Sequence, residues 1–135
     1  MKKISANSLC PCGSRVKYKR CCQKYHKGAY APTALLLMKS RYSAYAIGES
    51  DYIIKTTHPN NSDFTEDRLS WRRDIEHFSS TSQFLKLEIL DFIDGEREAF
   101  VTFIATLSGG ELREKSRFLK VDNQWLYESM VEDNQ

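Results

Sequence analysis

All four cysteines of this 135-residue chain fall between positions 10 and 22, as Cys10-Pro-Cys12, an eight-residue gap, then Cys21-Cys22. A stretch of that length cannot bury a core, so it folds only if something ties it together. A disulfide would have to run from Cys10 or Cys12 to Cys21 or Cys22, because a bond between neighbouring cysteines is strained. It would also need an oxidising compartment. Residues 1–9 carry Lys2 and Lys3 with no apolar run behind them, which reads as no secretory leader. No segment approaches the length of a membrane span, so membrane insertion is not expected. The expected setting is the cytoplasm, where thiols stay reduced and clusters of this kind bind metal. Soft thiolates suit a tetrahedral Zn²⁺ in a closed, structural site. Pro11 and Gly13-Ser14 supply the turn that lets Cys10 and Cys12 reach one ion. Four cysteines complete the shell, with His26 as second choice for the fourth ligand in place of Cys22.

Charge divides the chain unevenly. Residues 1–48 hold ten lysines or arginines and no acid, whereas residues 49–135 hold ten basic residues against eighteen acidic ones, a net −8. Lys17, Lys19, Arg20, Lys24 and Lys27 crowd the cysteine stretch, interleaved with Tyr18, Tyr25 and His26. Basic residues mixed with aromatics suit contact with RNA, the ribosome or an acidic protein. The alternative is attraction between the two parts of the same molecule.

Past the cysteines the pattern is first helical, then alternating. Residues 1–9 are polar and expected to be mobile. A linker over 28–33 leads into a helix that starts at Pro32 or Thr33 and stops at Gly48. Leu35, Met38, Tyr42 and Tyr45 share one face of it. Ser50 can cap a short helix over 51–57, ended by His58-Pro59. Thr65 or Asp63 can cap a third helix to about Phe78 that buries Trp71, Ile75 and Phe78, with Ser79 to Ser82 ending it. Alternation then predicts four strands. Leu85, Leu87 and Ile89 face one way, followed by Ala99 to Leu107, then Leu112, Glu114, Ser116 and Phe118, then Trp125 and Tyr127. Turns at Asp94-Gly95, Gly109-Gly110 and Asp122-Asn123 join them into an antiparallel meander. The fold class is α+β, with a metal element over 1–27 and an α+β domain over 28–135. Removing the metal is expected to unfold the former and leave the latter folded.

The cysteine stretch, with Pro11, Gly13, Ser14, Tyr18 and Lys19 between the ligands, resembles the SEC-C motif. That zinc-binding element stands at the C-terminus of the motor ATPase of bacterial preprotein translocation, where it docks on the export chaperone and the ribosome. Arg15 departs from the motif, which has a second glycine there. Further on, Leu37-Met-Lys-Ser-Arg-Tyr-Ser-Ala-Tyr45, Asp51-Tyr52, His58-Pro59 and Ser116-Arg-Phe118 are similar to the bacterial YchJ family. The resemblance implies a SEC-C element joined to a cone-shaped domain of the nuclear transport factor 2-like (NTF2-like) fold.

A curved sheet closed by helices leaves a concave pocket. Polar residues expected to line it are Arg41, Tyr45, His58, Trp71, Glu114 and Tyr127. His58 and Glu114 would there serve as base and orienting partner. Against this, a histidine before proline is more often a helix-end hydrogen-bonding group, and Arg41 with Glu114 equally suits a buried structural pair. The chain has no glycine-rich phosphate loop, Gly-x-Ser-x-Gly or His-Glu-x-x-His. Two readings follow: a zinc-binding interaction module that docks through its basic element, or an enzyme or small-molecule binder that works in the pocket.

Overall fold

Thr33 opens the central helix by accepting the Leu36 N–H on its Oγ1 at 3.1 Å, and Gly48 closes it in the left-handed conformation at φ +83°. The computed structural model describes residues 4–132, and this helix, α2 (Ala34–Ile47), lies at its centre. The expected single stripe proves too narrow. Met38 and Tyr42 are buried, but so are Ala34, Leu37, Ser40, Arg41, Ser43, Ala44 and Ile47. The helix is enclosed because its small residues let neighbours approach from several sides: the cysteine element, two further helices and the sheet.

The second helix, α3 (Ser50–Lys55), begins one residue before its expected start, with Glu49 at the cap position. Ser50 therefore does not cap. Its hydroxyl donates to Glu76 Oε2 at 3.0 Å and so ties α3 to α4 (Arg68–Thr81). The cap of α4 is Asp67, whose Oδ1 accepts the Ser70 N–H. Thr65 and Asp63 instead shape the preceding turn: Thr65 Oγ1 accepts from Asp67 N–H, and the Asp63 N–H donates to Asn61 Oδ1. The helix runs on through Ser79, which is buried and donates its hydroxyl to the Tyr45 carbonyl. Trp71 and Ile75 are buried, whereas Phe78 is partly exposed.

The strands β1 (Phe84–Ile93), β2 (Glu98–Leu107), β3 (Gly110–Val121) and β4 (Gln124–Val131) form one antiparallel sheet in sequence order. Register shifts interrupt β1 between Phe84 and Lys86 and between Ile89 and Asp91, and a third lies between Arg117 and Phe118. Bulges bend a strand and re-aim its side chains. The first puts Phe84 against the core and turns Leu85 outward at 60 % exposure, contrary to the expected Leu85–Leu87–Ile89 face. Ala99, Val101, Phe103, Ala105, Phe118 and Trp125 pack from the inner face of the sheet into the core with Leu37, Met38 and Ile53.

Residues 4–9 are held, in contrast to the expectation for this segment, of which residues 1–3 lie outside the described residues. The Tyr18 N–H donates to Ser8 O and the Lys19 N–H to Ala6 O, and Ile4 packs against the cysteines. Among the described residues no helix is long and apolar enough to cross a membrane.

Candidate metal centre and the neighbouring cavity

The first two cysteines stand on a tight turn. The Cys10 N–H donates to Val16 O at 2.8 Å and the Gly13 N–H to Cys10 O at 3.2 Å. Gly13 at φ +85° and Arg15 at φ +65° both take the left-handed conformation. That gives a physical reason for glycine at the second position and shows what Arg15 costs there: an unfavourable backbone, with the four ligands undisturbed. A 3₁₀ turn (Tyr18–Arg20) delivers Cys21, and Cys22 sits at the start of the short helix α1 (Gln23–His26).

All four Sγ atoms lie within 4.8 Å of one another, with Cys12 and Cys21 at 3.6 Å, and all four are free thiols. Thiolates placed tetrahedrally around an ion at about 2.3 Å stand about 3.8 Å apart, so the donor set fits a metal ion. Hydrogen bonds from Cys10 and Cys22 hold the Cys12 thiol far below its ordinary range. The Cys10 thiol, donating to Cys12, is pushed up to about 11, and Cys22 is also raised, first by its contact with Cys10. Crowded thiols oppose one another's ionisation, and a bound cation would let them ionise together. Ser14 Oγ lies 3.2 Å from Cys21 Sγ, placed to donate to a thiolate.

His26 is fully used elsewhere. Its Nδ1 lies 2.6 Å from Tyr18 OH and its Nε2 2.8 Å from Ser40 O. A carbonyl can only accept, so Nε2–H donates and Nδ1 accepts the Tyr18 hydroxyl. The imidazole, tilted against the Tyr52 ring at 4.8 Å between centroids, pins the cysteine element to α2, and neither ring nitrogen is left for a metal. Tyr18→Phe should leave a buried acceptor unsatisfied and cost about 1–3 kcal/mol, read by thermal melts at constant metal. A loss below a few tenths would mean that the junction does not depend on this bond.

A cavity of about 260 Å³ opens on the other side of α2. It brings together Arg41, Tyr45, Glu114 and Tyr127. Glu114 Oε2 accepts the Tyr127 hydroxyl at 2.8 Å and the Ser116 hydroxyl at 2.5 Å. Arg41 Nη1 donates to Ile53 O, Thr56 Oγ1 and Thr57 Oγ1 at 3.1, 2.8 and 3.2 Å. Arg41 from α2 and Glu114 from β3 therefore line one cavity without forming an ion pair. Burial, then the Glu114 charge, pushes the Tyr127 phenol well up, so it remains a donor at neutral pH.

Two of the expected lining residues lie elsewhere. His58 stays with its own turn, its Nδ1 accepting the Asn60 N–H at 3.0 Å. It is not on the cavity wall, so no His58–Glu114 dyad forms there. Trp71 is buried against Phe64 and lines a neighbouring pocket along α4, which meets the cavity at Tyr45, Asp63 and Phe78. Asp63, Phe78 and Phe84 also line the cavity. The loop before α4 brings in Asp63 and the β1 bulge Phe84, while Phe78 comes from the α4 face that the helical spacing marks.

The match to known proteins covers both parts. The family model described as YchJ, middle NTF2-like domain, matches residues 33–130, and the SEC-C motif matches residues 7–24. The chain belongs to the YchJ family. It is 40 % identical over 122 residues to a UPF0225 protein of Streptomyces coelicolor, covering 87 % of this chain and 90 % of that one. A UPF0225 protein of Serratia proteamaculans is 39 % identical, with 88 % and 80 % covered. A SEC-C motif containing protein from Rhodopseudomonas palustris has a similar structure, with TM-score 0.75, 30 % identity, and 95 % and 99 % covered. One from Psychrobacter arcticus gives TM-score 0.78 at 26 % identity, with 96 % and 86 % covered. In this YchJ-family chain the SEC-C match contains all four cysteines, and the NTF2-like match contains every residue named above on the cavity.

Proposed function

We propose that the chain is a zinc-stabilised docking module of the cytoplasm, whose SEC-C element presents a cationic surface to an anionic partner, either ribosomal RNA or an acidic protein. Zinc is the ion that four clustered thiolates in a closed shell suit best. One observation carries the docking reading. Lys17, Lys19, Arg20, Lys24 and Lys27 are all exposed, and among the described residues none is paired with a carboxylate. The ion pairs Arg72–Asp51, Lys86–Glu88, Arg117–Glu98 and Arg117–Glu128 all lie within the acidic part. That these five cations stand apart from every such pair among the described residues supports an external partner.

The aromatics expected to share this surface turn inward, since Tyr18 and Tyr25 are buried and His26 is bonded to α2. No base-stacking platform is left among them, which makes charge the main source of affinity. Retention on purified ribosomes, on total RNA and on an acidic-protein fraction should be measured across a salt series. Five engaged cations predict a log–log slope of roughly −3.5 to −4.5 on RNA, and Lys17→Glu, Lys19→Glu and Arg20→Glu together should abolish retention. Retention that ignores salt, or survives the three reversals, would sink the proposal.

A further inference from the structure

We propose that the cavity between α2 and the sheet is a binding site for a small organic carboxylate with an aromatic or branched apolar body. This goes beyond the docking reading and shares no residue with it. Arg41 is only 8 % exposed. A guanidinium stays charged in any protein, and a buried charge is costly unless an opposite charge meets it. Here Nη1 meets three neutral oxygens, and Nε and Nη2 make no hydrogen bond among the described residues. The plane lies over the Tyr127 ring at 4.9 Å, and no carboxylate comes within ion-pairing distance.

Tyr45 follows one helical turn later on the same wall, and its hydroxyl also has no partner among the described residues. Burial keeps that phenol protonated, hence a donor. With the buried Tyr42 hydroxyl, which also lacks a partner, three uncommitted donors, one of them cationic, thus share the wall formed by α2. The acids of the cavity lack no partner in the same way. Glu114 is already met by two hydroxyls, and Asp63 is exposed to water. Glu114 and Arg41 both meet only neutral groups, but the Glu114 oxygen is engaged by two donors whereas Nε and Nη2 of Arg41 make no hydrogen bond among the described residues, and these unused charged donors favour an anion over an amine. Phe78, Phe84, Phe103 and Leu107 supply an apolar wall for the ligand's body. The second oxygen of Glu114 is left to accept a hydroxyl from the ligand's far end. At about 260 Å³ the space falls below the roughly 300–1,000 Å³ of drug-sized sites, so the ligand is about one ring with a short acid arm.

Three probes that differ only at one end test this: para-hydroxyphenylacetate, tyramine and para-ethylphenol, titrated into the metal-loaded full chain by heteronuclear NMR. The acid should give saturable shifts at the amides of Tyr45, Phe103 and Glu114. The amine and the neutral probe should bind at least about tenfold more weakly, the loss expected for one charge-assisted contact. Arg41→Gln should weaken the acid about tenfold, and Tyr45→Phe should weaken it several-fold, with para-ethylphenol unaffected by either. Should Arg41→Gln fail to fold, the probe ranking on the unaltered chain and the Tyr45→Phe variant still decide. The assignment is overturned if tyramine or para-ethylphenol binds as tightly as the acid. It is equally overturned if the acid's shifts do not saturate, or if Tyr45→Phe leaves its affinity untouched.

Discussion

Replacing Cys12 by serine is expected to abolish stoichiometric zinc binding and to lower the melting temperature of the whole chain. Structural zinc contributes on the order of 10–16 kcal/mol of apparent binding free energy in small metal-dependent domains, and most of that is folding energy. Cys12 is buried in the cysteine cluster, and its Sγ stands 3.6 Å from that of Cys21. Without it the turn at Gly13 and the start of α1 lose their common anchor. The consequence need not end at residue 27. Tyr25 packs in the main core, Ile47 of α2 packs against the cysteines, and His26 bonds the Ser40 carbonyl. Exposing Ile47 alone would cost the larger domain about 1.5–3 kcal/mol. The sheet should nevertheless persist, because Phe118, Val101 and Trp125 pack far from the metal in the main core. Metal analysis and paired melts of the wild type, the wild type with chelator, and Cys12→Ser would test this. The chelated wild type and the variant should agree. A variant that keeps one equivalent of zinc, or that melts with the untreated protein, would contradict the account.

Phe118→Ala should destabilise the chain by about 3–5 kcal/mol while leaving the metal stoichiometry intact. Phe118 is 1 % exposed, has the largest side chain among the fully buried residues, and packs on Tyr127 at 5.7 Å between ring centroids. It also lines the cavity. Truncation would merge its own volume with an existing void rather than let the surroundings collapse, so the cost belongs near the top of the range for a buried aromatic. Denaturant unfolding at saturating zinc measures it. A cost under about 1 kcal/mol would show that the inner face of the sheet can repack there.

Much of the architecture is written in local pattern. Thr33 and Gly48 bound α2 because a side-chain cap and a left-handed glycine act within one helical turn. The meander turns stand where Asp94-Gly95, Gly109-Gly110 and Asp122-Asn123 put them, and Asp122 and Asn123 take positive φ as such turns require. The four cysteines point to a metal through their spacing together with the expected reducing compartment, and they meet within 4.8 Å. Alternation in β3 assigned Glu114, Ser116 and Phe118 to one face, and these line the cavity together.

Other features depend on distances that no local pattern encodes. Leu85 and Phe84 exchange faces because of a bulge, which is a property of strand pairing and not of the strand. His26 was a credible metal ligand until Ser40, fourteen residues away, occupied Nε2 and Tyr18 occupied Nδ1. His58 stood beside the right proline, yet its ring bonds the next turn instead of the cavity. Arg41 and Glu114 looked equally like a structural pair until the end of α3 took Nη1 and Tyr127 took the carboxylate. Each of these outcomes was a competition among polar partners far apart in the chain, and the packing of α2 against both the cysteine element and the sheet determined which partner came within hydrogen-bonding reach.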